Sequence, residues 1–317
     1  MAEVRKAVIT AAGLGTRHYP ATQVIQKELI PLVDADGTTK PTLQIVVEEA
    51  VASGIEEVCI VVSPASEPQI RRHFQGLPDE MLPHFEGRGW ALEEAQQLRA
   101  LGERITYVVQ EKSEGYGHAV FCARHFVGDE PFLLLLGDHV LLSDTDVPCS
   151  RQVIEVYQRF QCPVSGVQRT PEDQIHLFGT LTGRPVPDHP GVYEVTEIKE
   201  KPDPDYAERH LRTPGLKRGE YLCFFGMHIY PPAIFDCLHY SIRHDMRVNG
   251  EIQLTPAQDL LRERMRYLAA EIEGLRCDMG VPFGLIYTQL ALALRSPLRR
   301  RLLGSLTQLR DRRQGSE

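Results

Sequence analysis

The stretch Lys6-Ala7-Val8-Ile9-Thr10-Ala11-Ala12-Gly13-Leu14-Gly15-Thr16-Arg17 limits what this chain can become more than any other part of it. The apolar run Ala7 to Ala12 reads as a buried parallel strand. It breaks into a turn with two glycines, whose missing Cβ lets backbone N–H groups come close to a phosphate. Arg17 adds a fixed positive charge and Lys27 follows ten residues later. Two better-known glycine loops are excluded. The dinucleotide fingerprint needs a third glycine where this chain has His18, and the Walker loop needs Gly-Lys-Ser or Gly-Lys-Thr after a four-residue gap. A tight turn that merely packs a helix onto a sheet is the plainer reading, and the two cations tilt it toward an anion site.

With 317 residues the chain is long enough for one large α/β domain, or a main domain with a smaller lobe. A formal charge of −8 argues against a general nucleic-acid binder, so cations that meet phosphates must be concentrated locally. The seven cysteines (Cys59, Cys122, Cys149, Cys162, Cys223, Cys237, Cys277) include no Cys-x-x-Cys pair, which indicates neither a zinc site nor a redox dithiol. Reduced structural thiols are expected. No secretory h-region precedes the first strand and no apolar run approaches membrane-spanning length, so a soluble, cytoplasmic protein is expected.

Helical spacing covers Pro41 to Gly54, with Leu43, Val46, Val47 and Ala50 on one face. Val58 to Val62 reads as a second buried strand, which makes the opening a βαβ unit and implies a parallel sheet. Residues 66–104 read as mostly helical, with Trp90 as an anchor packing them onto the body. Ile105 to Val109 is a third strand, and a helix is expected to start near Ala119. Phe132 to Leu136 is the most apolar strand and ends in Gly137-Asp138-His139. In a doubly wound sheet ligands bind beyond the carboxyl ends of strands, where Ala12-Gly13, Gln110 and Asp138 all fall. Val164 to Gln168, Gly179 to Thr182, Tyr193 to Ile198 and Tyr221 to Tyr230 suggest an antiparallel or mixed sheet, either continuous with the first or in a second lobe. From about Ile286 the chain reads as helical. There Leu298, Leu302, Leu306 and Leu309 form one stripe, read as a docked helix or an oligomer contact rather than a membrane-binding face.

Ala12-Gly13-Leu14-Gly15-Thr16-Arg17, Pro20-Ala21-Thr22 and Lys27-Glu28-Leu29-Ile30-Pro31-Leu32 together resemble the signature of sugar-1-phosphate nucleotidylyltransferases. The nearest pattern is that of the bacterial UTP–glucose-1-phosphate uridylyltransferases. The resemblance continues through Gly115-Tyr116-Gly117-His118-Ala119-Val120, Gly137-Asp138, Glu200-Lys201-Pro202 and Gly250-Glu251-Ile252-Gln253-Leu254-Thr255 to Asp278-Met279-Gly280. It covers roughly residues 5–295, and so many blocks in order are far more specific than any one.

The resemblance implies a Rossmann-like nucleotidyltransferase fold: a mixed, mostly parallel sheet flanked by helices, with a β-rich sugar-facing half. Residues 1–150 would bind nucleotide, 151–285 the sugar phosphate, and 286–317 would form a helical tail. The implied reaction is UTP + glucose 1-phosphate ⇌ UDP-glucose + pyrophosphate, with Mg²⁺ as cofactor and a homo-oligomeric assembly. Carried over by position, Ala12, Gly13, Glu28, Gln110 and Gly115 would hold the uracil, with Gly15 and Thr16 also in the nucleotide loop. Arg17 and Lys27 would contact the triphosphate and Lys201 the sugar phosphate. Gly179, Glu200 and Gly226 would frame the sugar, and Asp138 and Asp278 would bind Mg²⁺.

The chemistry asks for these residue types in its own right. Two anions must meet, so cations and a metal must cancel their repulsion. The attacking phosphate is already ionised at neutral pH, so no general base is required, and His118 and His139 are expected to be structural. Mg²⁺ suits one or two carboxylates plus phosphate oxygens. The chain departs from the family pattern in three places. Ala35 to Thr39 separate Asp34 from Lys40-Pro41, so Lys40 is left out of the site. Pro256 stands where an aspartate is usual, and Met227-His228 follow Gly226. A dTTP-using thymidylyltransferase is the nearest rival reading, and Glu28 beside Lys27 favours UTP over it. A non-catalytic sugar-nucleotide sensor would predict damage at the metal or phosphate positions, yet Arg17, Asp138, Lys201 and Asp278 are all present. An oxidoreductase would rest on Gly13 and Gly15 alone.

Overall fold

The structure is a computed structural model and describes residues 2–314. Its strands are β1 (Lys6–Ala11), β2 (Pro31–Val33), β3 (Thr39–Pro41), β4 (Glu57–Val62), β5 (Ile105–Val109), β6 (Phe132–Leu136) and β7 (His139–Ser143) in the first half. The second half adds β8 (Val164–Pro171), β9 (Gly179–Pro185), β10 (Val192–Glu200), β11 (Glu220–Tyr230), β12 (Leu268–Glu271) and β13 (Gly274–Asp278). Nine of them form one sheet in the order β5-β4-β1-β6-β11-β8-β12-β10-β9. Of the two arrangements the sequence leaves open, the molecule therefore adopts the continuous one.

β1 sits between β4 and β6, parallel to both, and β5 continues the parallel run. With helices on both faces, this part of the sheet is dry. Ala7, Val8, Ile9 and Ala11 have no exposed surface, nor do Leu133 and Leu134 of β6. Each buried leucine or isoleucine contributes about 1.5–3 kcal/mol relative to exposure, which is why these strands read as unbroken apolar runs. At β11 the direction reverses, since β11 runs antiparallel to both β6 and β8. Its register on β8 slips between Phe224 and His228, a bulge that leaves Gly226 with φ 90° facing the ends of the parallel strands. A separate two-stranded ladder, β7 with β13, pairs Asp278 with His139.

The helix Thr42–Ala52 buries Leu43, Val46, Val47 and Ala50, as its spacing predicts, and the chain leaves it through Gly54 at φ 97°. Lys40 lies outside the cleft. Its ammonium is clasped by Asp34 (2.9 Å), Asp36 (2.7 Å) and Glu48 (2.8 Å), so Asp34 and Lys40 meet across the β2–β3 turn.

Three sequence expectations are corrected. Trp90 is not an anchor and is 61% exposed, because the helix Gly89–Gly102 turns Ala91 and Ala95 inward and Trp90 lies off that face. The helix expected near Ala119 begins at Tyr116, where Gly115 at φ 115° reverses the chain. The C-terminal leucine stripe is not docked. In the helix Arg299–Gln314 and just before it, Leu298, Leu306 and Leu309 are exposed and Leu302 is half-buried. Residues 315–317 of the expected tail lie outside the described residues.

Candidate active site

Beyond the carboxyl ends of β1, β5 and β6, and against the bulge of β11, lies a cleft of about 480 Å³. All the residues put forward from the sequence for nucleotide, phosphate, sugar or metal line it: Ala12, Gly13, Gly15, Thr16, Arg17, Lys27, Glu28, Gln110 and Gly115 on one side, Gly179, Glu200, Lys201 and Gly226 on the other, and Asp138 and Asp278 between.

The loop after β1 is shaped by its own side chains. Gln26 Nε2 donates to Gly13 O (2.9 Å) and to Glu28 Oε2 (2.7 Å), and Thr22 Oγ1 donates to Gly15 O (3.0 Å). Gly15 stands at φ 63°, and a Cβ there would come within 2.8 Å of the Thr22 methyl, so glycine is required on two counts. His18, the residue that spoils the dinucleotide fingerprint, is buried and its Nε2 donates to Met279 O at 2.6 Å. That bond ties the loop to the segment carrying Asp278.

Opposite the loop, Gln110 is buried and donates to Gly115 O (3.2 Å) and His118 Nδ1 (3.0 Å). His118 thus holds Gln110 in place. Gly115 and Gly117 lie flush against residues 251–253. A Cβ on either would come within 2.7 Å of a backbone oxygen there, and Gly117 N donates to Ile252 O at 2.8 Å. Two motif blocks far apart in sequence are therefore one packed unit.

The electrostatic centre is Lys27, whose Nζ donates to Asp138 Oδ2 at 2.5 Å and lies 3.5 Å from Glu28 Oε1. Burial works against the charge on Lys27, but Asp138 and Glu28 outweigh it and hold the ammonium protonated above its ordinary value. Burial would likewise raise the Asp138 carboxyl, yet Lys27 and His139 keep it below the usual range. Glu28 goes the other way. It is 1% exposed, and burial pushes it up to about 7 despite Lys27.

Asp138 sits in the turn between β6 and β7, and Met279 N donates to its carbonyl at 2.9 Å, bringing the end of β13 alongside. Asp278 would also rise on burial, but His139 at 3.6 Å, the Gly280 N–H at 2.7 Å and Arg17 keep it well below the carboxylate range. A Cβ on Gly280 would stand 2.8 Å from Asp278 Oδ1 and 3.1 Å from Asp138 Oδ2, so the missing side chain leaves both carboxylates bordering the same space. Among the described residues no three His, Cys, Asp or Glu side chains cluster as a metal cage. Two hard carboxylates facing an open cleft suit Mg²⁺, which keeps water and substrate phosphate in its remaining positions.

On the opposite wall, Thr255 Oγ1 donates to Glu200 Oε2 at 2.6 Å and fixes that carboxylate. A Cβ on Gly179 would meet the Phe224 ring at 2.6 Å, and one on Gly226 would come within 3.2 Å of His139 Nδ1, so both glycines keep the floor open. Lys201 is exposed, with its backbone in the left-handed region at φ 42°. Of the Met227-His228 departure, Met227 is buried in the core. His228 borders the cleft as a neutral imidazole, pulled down to about 3 by burial, within bonding distance (2.6 Å) of Ser165 Oγ.

Among the cleft residues that the sequence did not point to are Thr255 and Arg276. Thr255 lies inside a quoted motif block, but nothing in the sequence says its hydroxyl faces Glu200. Arg276 lies two residues before Asp278 on β13. Its guanidinium sits 3.6 Å from the centre of the Phe178 ring and donates to Phe224 O, and burial pulls it down to about 10. Its alternation with Asp278 along the strand was the available signal.

This arrangement is that of a nucleotidyl transferase. Residues 6–286 match the family model described as nucleotidyl transferase, and the chain belongs to that family. Among its relatives, the UTP–glucose-1-phosphate uridylyltransferase of Bacillus subtilis (strain 168) is 38% identical over 295 residues, 93% of this chain and 92% of that protein. A uridylyltransferase of the same name from Staphylococcus epidermidis is 36% identical over 298 residues, 94% of this chain and 95% of that one. Solved structures are similar as well. A UTP-bound UGPase from Acinetobacter baumannii superposes with a TM-score of 0.79 at 26% identity, covering 96% of this chain and 99% of its own. A UDP-glucose pyrophosphorylase in complex with UDP-glucose gives 0.74 at 28% identity, covering 91% and 98%.

Proposed function

We propose that this chain transfers a uridylyl group from UTP to glucose 1-phosphate, releasing pyrophosphate and forming UDP-glucose. The observation that carries the reading is the convergence, in one cleft, of the glycine loop with Arg17 and Lys27, of Lys201, and of Asp138 and Asp278.

In this reading a phosphate oxygen of glucose 1-phosphate attacks the α-phosphorus of UTP in line. The new P–O bond forms as the α–β bridging bond breaks, and pyrophosphate leaves with that electron pair. The nucleophile is already ionised, so no proton has to move and catalysis rests on positioning and charge. Ala12, Gly13, Glu28, Gln110 and Gly115 hold the base; Gly15 and Thr16 let the triphosphate approach the backbone. Arg17 and Lys27 neutralise the triphosphate, and Lys201 neutralises the sugar phosphate. Glu200, held by Thr255, accepts from sugar hydroxyls above the floor made by Gly179 and Gly226. Asp138 and Asp278 hold Mg²⁺, which when bound supplies charge neutralisation at the phosphate oxygens. Residues 1–150 thus serve the nucleotide, 151–285 the sugar phosphate, and 286–317 form the tail.

Among the described residues no helix is long and apolar enough to cross a membrane. In this reading the chain is a cytoplasmic enzyme of carbohydrate metabolism acting on free nucleotide and sugar phosphate, with neither nucleic acid nor membrane as partner. Phe283, Ile286, Leu306 and Leu309 present exposed apolar surface on the two C-terminal helices, supporting a homo-oligomer that covers them. The deciding experiment is pyrophosphate release from UTP, dTTP and other nucleotides, each against a panel of sugar 1-phosphates. UTP with glucose 1-phosphate is expected to be fastest, and a clear dTTP preference refutes the uridylyl assignment.

A further inference from the structure

Arg276 stands two residues before Asp278 on β13, so the two side chains leave the strand on the same side. Cys277 between them points the other way and is fully buried. Arg276 and Asp278 both border the cleft. The Arg276 side chain is half-buried, its guanidinium lies over the Phe178 ring, and one of its N–H groups donates to Phe224 O. A guanidinium has five such donors. Among the described residues that is its one hydrogen bond, and no carboxylate pairs with it. Its unbonded nitrogens are not sealed in the core, unlike the oxygens of Tyr116 and Ser150, and keep accessible surface.

A cation drawn partly out of water is costly unless an anion meets it, and native chains rarely leave one unpaired. Lys27 shows the ordinary solution, with Asp138 and Glu28 beside it. Arg276 has no such neighbour, and its free donors face a cleft rather than packed protein. Its position narrows the choice of anion. Phe178 O accepts from Lys201 N at 3.2 Å, so the ring beneath the guanidinium is tied to the backbone of the lysine read as serving the sugar phosphate. Through Phe178 the guanidinium adjoins Lys201, and along β13 it adjoins Asp278.

We infer that Arg276 is a further catalytic residue, whose guanidinium binds the phosphate of the acceptor sugar phosphate in concert with Lys201. The assignment rests on the sugar-phosphate reading of the acceptor. A planar fork holds two phosphate oxygens side by side, which a lysine cannot do, and leaves the third free to attack. The Phe178 ring sets the plane of that fork. The bound charge also lowers the repulsion between the acceptor and the triphosphate.

The test is Arg276→Met, which keeps an apolar stem against Phe178 and removes the charge, beside Arg276→Lys, which keeps the charge and loses the fork. For Arg276→Met at saturating UTP, kcat/KM for glucose 1-phosphate is expected to fall about 30-fold or more, while the dissociation constant of UTP stays within about two-fold of wild type. Arg276→Lys is expected to fall between wild type and Arg276→Met. In the reverse direction KM for UDP-glucose should rise and KM for pyrophosphate should not, because the acceptor's phosphate stays in the sugar nucleotide. The preference for glucose 1-phosphate over its deoxy analogues should hold in both variants, since the contact is with phosphate and not with a ring hydroxyl. An unchanged kcat/KM, a defect confined to UTP or pyrophosphate, or an altered preference among the deoxy analogues each overturns the assignment. So do equal losses for both substrates with a lower urea midpoint, which would make Arg276 only a prop for Phe178. Wild-type protein that turns over no sugar 1-phosphate overturns the activity itself, an outcome distinct from any defect confined to the variants.

Discussion

Replacing Glu28 with glutamine should make the fold more stable at alkaline pH and the enzyme worse. Glu28 is almost completely buried, accepts from Gln26, and has its carboxyl pushed from 4.5 up to about 7 by burial. A displacement of that size means ionising Glu28 costs roughly 3 kcal/mol more in the folded chain than in the unfolded one. The folded chain therefore binds more protons between pH 4.5 and about 7, and stability falls as pH rises through that window. Glutamine has the same shape and does not titrate, and Lys27 keeps Asp138 as its partner at 2.5 Å. The difference in unfolding free energy between Glu28→Gln and wild type should widen by about 2–3 kcal/mol in favour of the variant from pH 5 to pH 8. Urea titrations at several pH values read this directly. In parallel, the variant loses the carboxylate available to the nucleotide, so KM for UTP rises and the UTP-over-dTTP preference narrows. A stability difference that is the same at pH 5 and pH 8 refutes the account of Glu28 as a buried, destabilising charge.

Asp138→Asn should abolish turnover with Mg²⁺ while leaving the far-UV circular dichroism unchanged. It strands Lys27 beside Glu28 alone, so a stability loss of about 2–3 kcal/mol should accompany it; near-normal turnover refutes the metal role. Thr255→Val frees Glu200, and KM for glucose 1-phosphate should rise about ten-fold with KM for UTP unmoved; equal changes in both refute a positioning role. Leu309→Glu on the exposed stripe should shift the protein to a smaller species by light scattering, without altering the secondary structure; an unchanged mass excludes that face from the assembly.

The parallel core was legible in the sequence because strands buried on both faces must be continuously apolar, and β1, β4 and β6 are. The glycine loop was legible because backbone at positive φ and packed against its neighbours, as Gly15 is against Thr22, tolerates no side chain. What the sequence hid was contact between distant segments. Nothing in the letters says that His18 reaches Met279, that Thr255 reaches Glu200, or that Gly117 lies against Ile252. Those contacts are decided by the crossing of strands, not by local pattern. Trp90 misled because large aromatics are usually buried, whereas here the helix phase set by Ala91 and Ala95 turned it outward. Of the two readings of the leucine stripe, a docked helix or an oligomer contact, the exposure of Leu298, Leu306 and Leu309 removes only the first, since periodicity reports an apolar face but not what lies against it.

The nine strands make one unbroken ladder from the edge beside β4 to the edge beside β10. A ladder of that kind has no seam, so the two halves cannot swing apart on a hinge without breaking hydrogen bonds along β6 and β11. The jaws of this molecule are fixed. Any tightening around a filled cleft falls to the short segments that cross the strand ends, residues 12–28 and 172–178, and a change of substrate preference can be made there without redrawing the frame.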